Sequence, residues 1–202
     1  MSKLVFTSKG LETEEGTRII KKALGQANSV PLQNKTIYIV SFPEYEVDER
    51  ILDYCVNILG FQQENVRFSG WLMPENTYKP DYIYVTGGNT FEILAYMRKY
   101  GITNFIKSKI MDSENDITYI GASAGAAIAG SDVRLAMDFD SNFMGMYDFT
   151  GLELFKGAIL PHMTQEDLER YKLCTETYRL ESYEHLYQVG NQEFLILETE
   201  TS

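Results

Sequence analysis

Imidazole and thiol are scarce in this 202-residue chain, which has two histidines and two cysteines. Cys55 and Cys174 lie far apart, with neither C-x-x-C nor metal-ligand spacing, so a zinc module or a redox pair is excluded. Both are expected to be buried, reduced thiols. No apolar run reaches the roughly 20 residues that a membrane span requires. The opening stretch Met1 to Ser8 is too short in apolar character for a signal peptide. Cytoplasmic location and no membrane partner are the expectation. Positive charge is in deficit, with 18 Lys and Arg against 29 Asp and Glu, a net charge of −11. Such a surface repels phosphate backbones, which argues against nucleic acid as a partner. Neither G-x-G-x-x-G nor G-x-x-x-x-G-K-[ST] occurs, so the dinucleotide and phosphate-loop fingerprints are absent.

What is present is an alternation of short β-rich runs and longer helical patterns. Strands are expected at 4–7, 36–41, 66–69, 82–86, 117–120 and 158–160, and a terminal hairpin from 186–189 with 194–197. Helices are expected at 11–26, 47–59, 91–100, 103–111 and 165–179. The aromatic residues Phe91, Phe139, Phe143 and Tyr147 read as core packing. No internal repeat or long linker interrupts the pattern, so residues 1–202 read as a single domain. Alternation of this kind indicates an α/β fold, a mostly parallel sheet with helices on both faces. Ligands of such folds bind at the carboxyl ends of the strands.

Gly121-Ala122-Ser123-Ala124-Gly125 stands at one of those ends, after Ile117-Thr118-Tyr119-Ile120 and before small helix-compatible residues. Strand, G-x-S-x-G, helix is the setting in which a sharp turn lifts a serine hydroxyl above a sheet as a nucleophile. A hydroxyl needs a base, and a base needs a partner that holds its tautomer. His162 follows a strand in Ile159-Leu160-Pro161-His162 and is the candidate base, whereas His185 sits among polar residues and reads as surface. The candidate acids between Ser123 and His162 are Asp132, Asp138, Asp140, Asp148 and Glu153, and spacing does not choose among them. A second turn, Thr86-Gly87-Gly88-Asn89-Thr90, offers backbone N–H groups to a negative oxygen, with the Ala124 amide as the other donor.

Together Gly87-Gly88-Asn89-Thr90-Phe91, the Ser123 pentad and Pro161-His162 resemble peptidase family S51, the dipeptidase E and cyanophycinase-like serine peptidases, over roughly residues 80 to 165. The resemblance implies a class I glutamine amidotransferase-like fold. It implies Ser123 as nucleophile, His162 as base, and Gly88 and Ala124 as oxyanion donors; Asn89 and Thr90, in the second glycine turn, are the candidate substrate-binding residues. It also implies Asp138 as the acid, with Glu153 as second choice. In the dipeptidase E that this chain resembles, a longer glycine-containing loop after the histidine leads to an arginine-rich helix start associated with recognising an N-terminal aspartate. Here Gln165-Glu166-Asp167 follows instead, leaving Arg134 and Arg170 as candidate cations.

The function expected is a serine peptidase that hydrolyses short peptides near a free N-terminus, with no metal and no cofactor. An amidase or esterase acting on a small molecule, and a non-catalytic binding module of the same fold, are the alternatives. Oligomeric state stays open between monomer and small homo-oligomer.

Overall fold

The central strands carry apolar residues without alternation. β4 (Tyr82–Val85) and β2 (Ile37–Val40) are buried at every position, as is β5 (Thr118–Ala122). Strands of this kind need cover on both faces, the condition met by a parallel sheet wrapped in helices. The computed structural model describes residues 2–27, 31–42, 45–70, 75 and 77–199. In it β1 (Lys3–Thr7), β2, β3 (Val66–Phe68), β4, β5 and β8 (Phe194–Glu198) form a six-stranded sheet in the order β3-β2-β4-β5-β1-β8. All neighbours run parallel except β8, which pairs antiparallel with β1.

Successive side chains along each strand serve opposite cores. Leu4, Phe6, Tyr38, Val40, Ile83, Val85 and Tyr119 face α3 (Thr90–Lys99), α4 (Ile102–Ile110) and α5 (Ala124–Ile128). Val5, Ile37, Ile39, Tyr82, Tyr84 and Ile120 face α1 (Glu14–Ala27) and α2 (Tyr45–Tyr54), the latter extended by a wide turn, Cys55–Leu59. A two-stranded parallel sheet of β6 (Ala158–Pro161) and β7 (Leu186–Val189) stands beside the main one. Its Leu160 packs with Met163 and Leu168, the last on α6 (Gln165–Cys174).

Four expectations are corrected. The terminal strands are not a hairpin: β7 joins β6, while β8 crosses to the main sheet, where it covers β1 and adds side chains to both cores. The helix expected over 165–179 breaks at Thr175, which is extended, and restarts as α7 (Thr177–Glu181). Cys55 is buried, which pushes its thiol up, but Cys174 is exposed at the end of α6. Phe91 lies in the core, whereas Phe139, Phe143 and Tyr147 are exposed. Among the described residues no helix is long and apolar enough to cross a membrane.

Candidate active site

The two glycines around Ser123 are there because strand and helix meet almost in contact. A Cβ on Gly125 would lie 2.2 Å from the Val85 carbonyl oxygen, and one on Gly121 would lie 2.6 Å from the Gly125 oxygen. Tyr119 Oη donates to that same Gly125 oxygen at 2.7 Å, pinning the first turn of α5 to the sheet. Between the glycines Ser123 adopts φ 51° and ψ −111°. For a residue with a β-carbon this is a strained conformation, of order 1–3 kcal/mol. It is held by hydrogen bonds from the Ser123 amide to Thr7 O (2.9 Å) and from the Gly125 amide to Thr86 O (3.2 Å).

The strained turn aims the hydroxyl at His162, with Ser123 Oγ 2.9 Å from His162 Nε2. His162 follows β6 and also has a positive φ, 62°. Its other ring nitrogen, Nδ1, lies 2.7 Å from Asn191 Oδ1. An amide oxygen can only accept, so Nδ1 carries the proton, and Nε2 is left to accept from the serine hydroxyl; the tautomer is assigned from this network. Asn191 lies between β7 and β8, the stretch expected as a hairpin turn.

Ser8, just past β1, links these pieces. Its buried hydroxyl accepts from the His162 amide at 2.8 Å and donates to Val189 O at 2.6 Å, two residues before Asn191. The end of β1 thus touches the backbones of Ser123, through Thr7, and of His162 and the Asn191 segment, through Ser8.

Asp138 does not belong to this chain of contacts. Its carboxylate accepts from Tyr171 Oη at 2.7 Å and pairs with Arg179 at 3.2 Å. Burial, then this carboxylate, push the Tyr171 hydroxyl up to about 12. Glu153 pairs with Lys107 on an exposed surface. Both expected acids are engaged away from the imidazole, and the group at His162 Nδ1 in the structure is the neutral amide of Asn191.

The second glycine turn lies against the serine. A Cβ on Gly87 would come within 3.3 Å of Ser123 Cβ. Gly88 has φ +131°, which an L side chain rarely adopts. The amides of Gly88 and Ala124 donate to no group among the described residues. The Gly87 amide is taken by Glu12, at 3.1 Å from Oε1, and Tyr84 Oη lies 3.1 Å from each Glu12 oxygen. Burial raises the Glu12 carboxyl above its ordinary range, against the pull of these bonds. Glu12, Ser8 and Asn191 carried no motif, and sequence reasoning missed all three.

Asn89 and Thr90 take separate roles. Asn89 Oδ1 caps α3 by accepting from the Phe91 and Glu92 amides, and its Nδ2 donates to Ser141 O. Thr90 donates to Asp140 Oδ2 from its amide (2.9 Å) and its hydroxyl (2.6 Å). Thr90 and Asp140 line a cavity of ≈ 540 Å³ whose wall also includes Ser123, Ala124 and His162. Asn89 faces a second cavity, ≈ 370 Å³, together with Gly87, Gly88 and Glu12. Neither candidate cation reaches the first cavity: Arg134 pairs with Asp132 and Arg170 with Glu166. His185 is half-exposed beside Glu184. Among the described residues no three His, Cys, Asp or Glu side chains are grouped to hold a metal ion.

A doubly covered, mostly parallel sheet that carries a strained serine at a strand end, with an imidazole on its hydroxyl, has the arrangement that serine hydrolases use. The family model for peptidase family S51 matches residues 72–202, and the chain belongs to that family of serine-type peptidases. An uncharacterized peptidase of Listeria monocytogenes is 29% identical over 180 residues, covering 80% of this chain and 85% of that protein. Peptidase E of Haemophilus influenzae is 27% identical over 145 residues, covering 71% of this chain and 62% of that protein. The crystal structure of a peptidase from an acI-B1 Actinobacterium superposes over all of this chain and 85% of its own, with TM-score 0.63 at 15% identity, a likeness of fold.

Proposed function

We propose that this peptidase hydrolyses short peptides near a free N-terminus, with Ser123 as nucleophile, His162 as general base and Asn191 as the group that orients His162. The observation that carries the reading is the relay Ser123 Oγ–His162 Nε2–Nδ1–Asn191 Oδ1, at 2.9 and 2.7 Å, opening onto a cavity. Ser123 Oγ attacks the scissile carbonyl as Nε2 takes its proton. The carbonyl oxygen, now negative, accepts from the Gly88 and Ala124 amides. His162 returns the proton to the leaving amine, and water, activated by the same nitrogen, releases the acyl group. Glu12, by engaging the Gly87 amide, holds the turn that presents Gly88.

Incubation with a mixed di- and tripeptide library, read by mass spectrometry, tests the proposal, alongside mapping of a fluorophosphonate adduct. Cleavage one or two residues from the amino end, with the adduct on Ser123, is the expected result. Cleavage confined to small esters or amides, with Ser123 labelled, would favour an amidase or esterase instead.

Ser8→Ala tests how the site is held. Loss of its two hydrogen bonds loosens His162 and the Asn191 segment together. A displacement of about 1 Å at a reacting group costs up to roughly a hundredfold in rate. The expected result is a kcat lowered ten- to a hundredfold with KM little changed. A loss no larger than the unfolded fraction, measured by circular dichroism at the assay temperature, would make Ser8 a structural tie only.

A further inference from the structure

Resting on the peptidase reading, we infer that the preferred substrate begins with an apolar residue whose free α-ammonium group faces Asp140 and Asp167, rather than with an acidic residue. The walls of the cavity at Ser123 are apolar: Ala127, one turn after Ser123 on α5, with Ala136, Phe139, Ile159 and Met163. Into such walls an apolar side chain gains by leaving water, whereas a carboxylate would need a partner to replace its hydration.

Among the described residues no lysine or arginine lines the cavity, and the carboxylates that do, Asp140 and Asp167, are negative. The nearest arginines in sequence are bound elsewhere, Arg134 to Asp132, Arg170 to Glu166 and Arg179 to Asp138. Asp140 uses Oδ2 for Thr90, and Asp167 uses Oδ2 for the Thr164 amide and hydroxyl, so each carboxylate is fixed in place by one oxygen. The Oδ1 of each accepts from no group among the described residues. Hydrogen bonds from Thr164 hold the Asp167 carboxyl below its ordinary range, so it stays ionised wherever a histidine base works. Two fixed anions around an apolar pocket attract a peptide's terminal ammonium and repel an acidic side chain, and the overall charge of −11 acts in the same direction.

The test compares Leu-Gly-Gly, Phe-Gly-Gly, Asp-Gly-Gly and N-acetyl-Leu-Gly-Gly as substrates of the wild type, Asp140→Asn and Asp167→Asn, with fluorophosphonate labelling of Ser123 in parallel. Asparagine keeps an acceptor for the Thr90 and Thr164 groups, so local structure is preserved. The substrate comparison does not depend on any variant folding. Expected are kcat/KM values at least tenfold higher for the leucine- and phenylalanine-first peptides than for the aspartate-first peptide. A similar loss should follow acetylation, and KM should rise about tenfold in at least one variant, in line with a charge-assisted hydrogen bond. Faster cleavage of Asp-Gly-Gly would overturn the inference and leave the peptidase reading standing, as would equal cleavage of the acetylated peptide. Labelling of Ser123 with no peptide cleaved would overturn the substrate class. Neither labelling nor cleavage would sink the peptidase reading and the inference with it.

Discussion

Ser123→Ala is expected to lower kcat/KM for peptide hydrolysis by about 10⁴-fold or more while leaving the fold intact. The large effect follows from the relay, because without Oγ the imidazole has no proton to accept and the carbonyl meets no nucleophile. The small structural effect follows from what Oγ bonds to, which among the described residues is His162 Nε2. The amide of residue 123 still reaches Thr7 O, and the alanine β-carbon occupies the space of the serine β-carbon. The thermal midpoint should therefore move by no more than about 1 kcal/mol of stability implies. Initial-rate measurements on the best library peptide, paired with a melting curve, check both halves. Undiminished hydrolysis by a well-folded variant would remove Ser123 from the mechanism.

Substitutions at Asn191 should separate orientation from charge. Asn191→Ala leaves Nδ1 without an acceptor, so the imidazole can turn or adopt the tautomer in which Nε2 carries the proton. A triad histidine held in the wrong tautomer loses up to about 10⁴ in kcat, and the expectation here is a loss between about 10² and 10⁴. Asn191→Asp restores the acceptor and adds a negative charge beside the ring. A carboxylate favours the protonated imidazole, so the base is lost at a higher pH than in the wild type. The acid limb of the kcat/KM profile should move to higher pH while the plateau stays within about tenfold of the wild type. Asp138→Asn is the matched control. It leaves the relay untouched, weakens the contacts to Tyr171 and Arg179, and should hold kcat within about threefold. A collapse of activity in Asp138→Asn with little change in Asn191→Ala would return the acid's role to Asp138.

These contrasts explain how far the site was legible in the sequence. Ser123 and His162 stood out because each ends a strand and each sits beside residues that strand ends require. Gly121 and Gly125 are demanded by backbone contacts under 3 Å, and Gly88 by its positive φ. Such constraints leave marks on local composition. Asn191 leaves none, because asparagine after glycine is ordinary turn chemistry, and its neighbours suited a hairpin. The choice that hid it was one of pairing. β7 and β8 are close in sequence, yet their side chains fit different sheets, and this fit is set by Leu195, Leu197, Phe194 and Ile196 meeting cores assembled from distant residues. Asp138 was attractive because the family resemblance placed an acid at its spacing after the serine, but position along the chain says nothing about direction, and Tyr171 and Arg179 draw it away. The sheet itself was legible because its buried strands are short, apolar and separated by helices.

The edge position of β8 has a consequence for timing. Ser123 and His162 precede β7, whereas the loop bearing Asn191 is fastened on its far side by the pairing of β8 with β1, a strand that precedes both residues in the chain. During synthesis Ser123 and His162 emerge before Asn191, whose side chain meets the His162 ring, and the β1 edge that β8 covers stays open until β8 arrives. The contact between Asn191 and the His162 ring thus depends on the pairing of two strands that are far apart in the sequence.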